Sequence, residues 1–300
     1  MLASAIANAT GNRVNECDDI LNNTPSLGLR NVRFLFSRHL SLAPPRIVSI
    51  ITLLTDFGTA DGYVAEMKGV LVSGAPGTAV MDMSHDIPPQ DLEAARLALA
   101  RYWRRFPPGT VHIVVVDPGV GTERAALAVA SGGQFLLGPD NGVLSPALFA
   151  LDAEIVALPI PPNAAHTFHG REVFAPAAAN LAIGVPLHSL GDPITNVVRK
   201  RTREAHRRGD GSIVGEVITI DRFGNAVTNL VTRASGSILA GGYRMSIART
   251  YSEVDELQPT AVIGSTGFVE IAVRNGNAAA RLQLRRGDEV VLHRGNTPID

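Results

Sequence analysis

A chain of 300 residues with 45% hydrophobic and 18% charged side chains can bury large cores, and its length points to two domains. A formal net charge of −1 speaks against a nucleic-acid surface or an anionic-membrane binder, and scarce aromatics, Trp103 the single tryptophan, speak against a base-stacking platform. One cysteine, Cys17, excludes an internal disulfide and fits a reducing compartment. The apolar-rich stretch Ile47 to Leu54, even with Ser49 and Thr52 counted in it, falls far short of the ~20 residues that span a bilayer, and Met1-Leu2-Ala3-Ser4 lacks the basic flank of a secretory signal. A cytoplasmic protein with no membrane and no nucleic-acid partner is expected.

Residues 1–45, with scattered Asn and an acid-free basic stretch (Arg30, Arg33, Arg38) leading to Pro44-Pro45, read as a disordered or weakly helical extension. From Ile47 the pattern changes. Ile47 to Leu54 reads as a strand buried on both faces, ending at Thr55-Asp56-Phe57-Gly58. Tyr63 to Ser73 is helical and closes at Gly74, and Ala79 to Met83 is a short strand ending in Ser84-His85-Asp86. Gln90 to Phe106 carries a helical stripe of Leu92, Ala95, Leu99 and Tyr102, and Val111 to Val116 is again a strand. Leu127 to Ala130 and Phe135 to Leu137 suggest a hairpin, and Phe174 to Ile183 a small-residue helix stopped by Gly184. This alternation implies an α/β domain with a mainly parallel sheet over residues 47–198.

Residues 199–211 form a basic linker with Arg199, Lys200, Arg201, Arg203, Arg207 and Arg208, more simply a solvated connection than a nucleic-acid patch. Short strands follow over 212–300: Ile213 to Ile220, Ala226 to Leu230, Tyr243 to Ile247, Ala261 to Ile263, Phe268 to Val273, Arg281 to Leu284 and Glu289 to His293. They read as a smaller, antiparallel, barrel-like β domain. No internal repeat is visible.

Chemistry concentrates at the ends of the expected strands. In Val116-Asp117-Pro118-Gly119-Val120-Gly121-Thr122-Glu123-Arg124 a buried strand runs into an acid, and a tight loop returns to an arginine that would keep that acid ionised. The carboxyl edge of an open α/β sheet is where ligands bind. The segment reads equally well as a structural ion pair that fixes a turn. Asp56, Asp61, Asp82, His85, Asp86 and Asp140 also stand near strand ends. Two or more of these acids could hold a hard cation such as Mg²⁺, but none shows compact ligand spacing, and no metal is expected. No Gly-x-Gly-x-x-Gly follows the first strand, so a dinucleotide or P-loop reading is weak. His169, before a glycine and a helix start, is by itself more often structural than catalytic. Asp221, Phe223 and Asn225 near a turn could stack on and hydrogen-bond a base or amino acid, or simply close a hairpin.

Five motifs in order remove much of that ambiguity: Leu-Thr-Asp-Phe-Gly (54–58), Val-Asp-Pro-Gly-Val-Gly-Thr-x-Arg (116–124), Pro-Asp-Asn-Gly (139–142), Phe-His-Gly-Arg-Glu (168–172) and Asp-Arg-Phe-Gly-Asn-x-x-Thr-Asn (221–229). Over residues 49–295 the chain resembles the S-adenosyl-L-methionine (SAM) hydroxide adenosyltransferase family, relatives of the fluorinases and chlorinases. The resemblance implies a SAM hydrolase that yields adenosine and L-methionine with no cofactor, SAM being the substrate. It also implies a homotrimer with SAM held between the α/β domain of one subunit and the β domain of the next. Under it, Asp117, Arg124 and His169 match the catalytic set and Asp56 the acid that holds the ribose hydroxyls. Asp61 lies where a methionine contact is expected, and Ser265 matches a methionine-carboxylate contact. Asp221, Phe223 and Asn225 match residues around the methionine part and the base, and the backbone near Val273 and Asn275 the adenine edge.

The halogenating relatives carry Tyr at Asp117, Ser at Gly170 and Arg at Thr266, and an extra loop that is not visible between Trp103 and Thr110. The expectation is therefore attack by water, with His169 near its ordinary titration range accepting or relaying a proton. A halogenase of the same fold, a non-catalytic SAM or adenosine sensor, and a metal-dependent phosphoesterase are the rival readings.

Overall fold

The computed structural model describes residues 49–298, so the expectation for residues 1–45 lies outside the described residues. β1 (Ile50–Thr55), α1 (Tyr63–Gly74), β2 (Ala79–Ser84), α2 (Leu92–Tyr102) and β3 (Val111–Val115) make two successive β-α-β units. β4 (Ala126–Ser131), β5 (Gln134–Pro139), α3 (Ser145–Leu148), β6 (Glu154–Leu158), α4 (Ala175–Ala182) and β7 (Asp192–Pro193) complete a seven-stranded sheet in the order β2-β1-β3-β5-β4-β6-β7. The expected parallel sheet is the β2-β1-β3-β5 portion, and β4, β6 and β7 extend it through antiparallel pairings, β4 with β5 being the expected hairpin.

The apolar runs are explained by cover on both faces. Ile51, Leu53, Val111, Ile113 and Val115 pack with Met67 and Leu71 of α1 and with the alanines of α4. Leu54, Val114, Val116, Leu127 and Leu136 pack on the other side with Ala95 and Leu99 of α2 and with Trp103. Each such fully buried aliphatic side chain is worth about 1.5–3 kcal/mol. Because β1 leads to β2 on one side and pairs with β3 on the other, the strand order reverses between β1 and β3. Thr55 is in register with Val115 there. That reversal opens a crevice at the carboxyl ends of the strands, the usual ligand position in such sheets.

In the second half, β8 (His206–Arg207), β9 (Ile213–Ile220), β10 (Ala226–Val231), β11 (Ala234–Ala240), β12 (Tyr243–Ala248), β13 (Pro259–Ile263), β14 (Phe268–Val273), α5 (Ala278–Leu282) and β15 (Glu289–Pro298) follow. Seven of the strands close into a barrel, β10-β14-β13-β12-β11-β15-β9 and back to β10, with β8 on the outer edge of β9. The pairing is antiparallel except between β12 and β13, which run parallel and make the barrel mixed. Val217, Leu230, Ile238, Ile271 and Leu292 fill its interior.

One expected strand is wrong: Arg281 to Leu284 falls on α5 and its end. The Asn277 side chain accepts the Ala280 N–H (2.8 Å), three alanines favour the turn, and Gln283 ends it in the left-handed region. β6 and β11 were not anticipated. The basic side chains of residues 199–211 are exposed, as a solvated connection should be, while the start of the stretch is tethered to the α/β half. Val198 N–H donates to Asp140 Oδ1 (2.8 Å), Lys200 N–H to Ser145 Oγ (2.8 Å), and buried Arg96 to Thr202 Oγ1 (2.7 Å). Among the described residues no helix is long and apolar enough to cross a membrane.

Candidate active site

Asp117 follows β3, and the loop behind it is set by short-range bonds. Val120 N–H donates to the Asp117 carbonyl (3.2 Å), and Thr122 donates to the Gly119 carbonyl through its N–H (3.2 Å) and its hydroxyl (2.7 Å). Gly121 sits at φ +79°, where an added Cβ would lie 2.8 Å from the His166 carbonyl oxygen, so a side chain is excluded on both counts. From the Pro-Asp-Asn-Gly motif, Asn141 Nδ2 donates to the Val116 carbonyl (2.9 Å) and braces the strand end from behind. Asp140, one of the candidate acids, is spent on Val198 and does not reach the cleft.

The loop delivers Arg124 onto Asp117. Nε donates to Oδ1 at 2.9 Å and Nη2 to Oδ2, a fork-to-carboxylate ion pair whose side chains are only 9% and 5% exposed. Nη2 also lies 2.9 Å from His169 Nδ1. A guanidinium has no acceptor, so Nδ1 must accept, and the ring proton of neutral His169 stands on Nε2. His169 is 2% exposed, and its Nε2 is buried with no hydrogen-bond partner among the described residues. Burial, followed by the Arg124 charge, pushes the His169 pKa below its ordinary value. This corrects the sequence expectation. The histidine titrates below its ordinary value, and the ring atom without a partner among the described residues, Nε2, is a donor.

Asp117 and His169, with Arg124 bonded to both from behind, meet Asp56 at one cleft of about 430 Å³, lined by Asp56, Asp117, His169 and Gly170 together with Phe57, Tyr63 and Phe168. Asp56, one residue past β1, accepts the Gln90 backbone N–H on Oδ2 at 2.8 Å. Phe57, Tyr63 and Phe168 pack on one another with ring centroids 5.3–5.9 Å apart and form an apolar wall. Sequence reasoning missed this wall, although Phe57 and Phe168 stand inside the motifs. Gly170 sits in a crowded spot: a Cβ there would lie 3.1 Å from Met67 Sδ and from the Phe168 ring, so those neighbours would have to give by a few tenths of an ångström.

The barrel residues gather elsewhere. Asp221, Phe223, Asn225, Ser265, Val273 and Asn275 all line a second cleft of about 1190 Å³ that shares no lining residue with the first. Asp221 Oδ1 accepts the N–H groups of Phe223 and Asn225 (2.9 Å each) and Oδ2 accepts Asn225 Nδ2 (3.0 Å), a turn that holds Phe223 76% exposed. Glu270, buried in the same cleft, accepts the Tyr251 hydroxyl (3.1 Å). Tyr251 is pushed up to about 12 by burial first and by Glu270 next. Neither was foreseen. Thr266 lines a groove between α2 and the barrel, and Asp61 is exposed and lines neither of the two clefts. No group of three His, Cys, Asp or Glu among the described residues is arranged to hold a metal ion.

The chain thus carries one cleft at the switch point of a sheet and another on a closed barrel that offers an exposed aromatic. The comparisons name the class. Residues 51–191 match the family model for the SAM hydroxide adenosyltransferase N-terminal domain, and residues 215–291 that for the C-terminal domain. The chain belongs to the SAM hydroxide adenosyltransferase family. It is 44% identical over 256 residues to a (R)-S-adenosyl-L-methionine hydrolase of Thermus thermophilus, covering 81% of this chain and 98% of that protein. A fluorinase of Nocardia brasiliensis is more distant, 26% identical over 292 residues and covering 82% and 97%. Among solved structures, an uncharacterized conserved protein from Thermotoga maritima matches with a TM-score of 0.74 at 33% identity, covering 81% of this chain and all of that one.

Proposed function

We propose that this chain hydrolyses S-adenosyl-L-methionine to adenosine and L-methionine, with water attacking C5′ of the ribose in line with the departing sulfur. The sulfonium makes C5′ electrophilic and lets methionine leave as a neutral thioether. The protein must then hold one water in line and exclude the rest. An O–C5′ bond forms, the C5′–S electron pair returns to sulfur, and the water proton passes to Asp117. Arg124 holds the Asp117 carboxylate in place. His169, its lone pair already engaged by Arg124, offers Nε2–H to the attacking oxygen and fixes its position, so Asp117 is the base. Asp56 anchors the ribose hydroxyls against the Phe57, Tyr63 and Phe168 wall. The observation that carries this reading is the buried Asp117–Arg124–His169 set beside Asp56 at the switch-point cleft.

Asp221, Phe223, Asn225, Ser265, Val273 and Asn275 take the methionine and adenine parts, and Asp61 is assigned a methionine contact on the family resemblance alone. The assembly we propose is a cytoplasmic homotrimer in which the α/β cleft of one subunit meets the barrel cleft of the next. Its support is that the two sets of residues line clefts with no residue in common. No cofactor is invoked, SAM being the substrate. Water rather than halide as nucleophile is supported by Asp117 in the cleft and by the crowding at Gly170, which leaves a serine there little room.

Incubation with SAM in ¹⁸O-water, followed by mass spectrometry, is the test. Adenosine labelled at the 5′-oxygen is the expected product, whereas 5′-chloro-5′-deoxyadenosine in chloride buffer or unlabelled adenosine would overturn the reading. Activity unchanged by EDTA is expected alongside.

A further inference from the structure

Where the barrel meets the α/β half, Arg286, in the turn between α5 and β15, grips Asp91 at the head of α2. Nη1 lies 2.9 Å from Oδ1 and Nη2 2.7 Å from Oδ2. Asp91 is also the N-cap of α2, its Oδ1 accepting the Ala94 N–H at 2.9 Å. Burial works against its charge, but Arg286 and the Ala94 N–H hold its carboxyl below the usual carboxylate range. An isolated surface pair contributes little, but a bidentate one fixes the geometry of both partners.

What Asp91 fixes is its neighbour. Gln90 stands at φ +64°, a left-handed conformation that a non-glycine residue keeps only when its surroundings impose it. Asp91 N–H closes the turn onto the Pro88 carbonyl (3.0 Å), and Leu92 N–H donates to the Gln90 carbonyl (3.0 Å). In that conformation the Gln90 N–H points at Asp56 Oδ2, 2.8 Å away. The chain of contacts therefore runs from the barrel to the sugar-binding acid: Arg286, Asp91, Gln90, Asp56.

We propose that Arg286 is a positioning residue for the reaction, holding Asp91 so that the left-handed turn at Gln90 keeps the Asp56 carboxylate aimed at the ribose hydroxyls. The inference rests on the SAM hydrolase reading of the site. Without the pair, Gln90 relaxes, its N–H leaves Asp56, and the acid is free to turn.

The test uses the full chain with Arg286→Ala, Arg286→Lys and Asp91→Ser, the serine keeping an N-cap oxygen. SAM hydrolysis is followed at steady state, and binding of adenosine and of 2′-deoxyadenosine by calorimetry. Arg286→Ala and Asp91→Ser are each expected to raise KM about tenfold with kcat within about twofold. Each should also erase about tenfold of the preference for adenosine over 2′-deoxyadenosine, and the double variant should be no worse than either single one. Arg286→Lys, keeping the charge but not the fork, should recover part of that preference. A merely structural role would lower melting temperature without touching sugar discrimination. Unchanged discrimination in both Arg286→Ala and Asp91→Ser overturns the proposal, and if Arg286→Ala does not fold, Asp91→Ser carries the same expectation. Wild-type protein that binds adenosine but never turns over SAM would defeat the functional reading, while the sugar discrimination would still decide the positioning role.

Discussion

The two clefts are built on opposite plans. At the α/β cleft, Asp117 and Arg124 are bonded across a loop and His169 joins them from 45 residues further on, all three nearly out of solvent. At the barrel cleft, Asp221, Phe223 and Asn225 come from one turn, hydrogen-bonded within itself, with the aromatic ring left in the open. The first plan suits chemistry, because charges and donors must be fixed and dry before the substrate arrives. The second suits recognition, because an exposed ring gains its contacts only when something stacks on it. Damage to the Asp117–Arg124–His169 set should therefore appear in kcat, and damage to residues that only hold the substrate, the Asp221–Asn225 turn and Asp56 alike, in KM.

The sharpest break of that contrast is Asp117→Ala, expected to lower kcat about 10³-fold with KM little changed, as loss of a general base does. Arg124→Lys, losing the fork, should fall between that variant and wild type in steady-state assays. An equal loss in KM would merge the two plans into one.

Next in size is an acid sensitivity confined to the α/β half. Burial drives His112 down to about 4 from an ordinary 6.5, where it bridges Thr52 (2.7 Å) and Gln134 (2.8 Å). The unfolded chain takes up that proton first, so stability is whole above about pH 6.5 and falls as pH drops towards 4. The loss is roughly 3 kcal/mol. Denaturant melts at pH 7 and 4.5 should show it, and His112→Gln should flatten that part of the slope.

On the barrel side, Phe223→Ala should raise KM for SAM about tenfold with kcat nearly intact, since stacking on a base is worth about 1–3 kcal/mol. A smaller effect separates the base from the donor in the first cleft. With the His169 pKa lowered by burial and Arg124, the acid limb of kcat/KM should have its midpoint below 6.5. A midpoint at or above 6.5 would restore His169 as a base. Smallest is Asn277→Ala, which removes the α5 cap and should cost about 1 kcal/mol in thermal melts while leaving kcat unchanged.

Much of this was legible from residue order, and the reasons differ by element. Short, mostly apolar, β-branched-rich runs at Ile51–Leu54 and Val111–Val116, broken only by Thr52 and His112, read as strands covered on both sides, so the α/β layer is legible from local sequence. The turn at Asp221–Asn225 closes within five residues, so it too can be read locally. Arg281 to Leu284 misled because an apolar-polar alternation over four residues fits a strand as well as a helical turn, and the deciding cap lies upstream at Asn277.

The direction of the ring proton on His169 belongs to another level. It depends on a guanidinium from a distant loop occupying Nδ1, and no spacing in the chain encodes which nitrogen that arginine meets. The aromatic wall of Phe57, Tyr63 and Phe168 and the Arg286–Asp91 grip on Gln90 are of the same kind. Local sequence chose the strands, caps and turns because those interactions act over a few residues. The tautomer of His169, the burial of its ion-paired partners and the aim of Asp56 were settled only once the layers packed, because burial and charge act through space rather than along the chain.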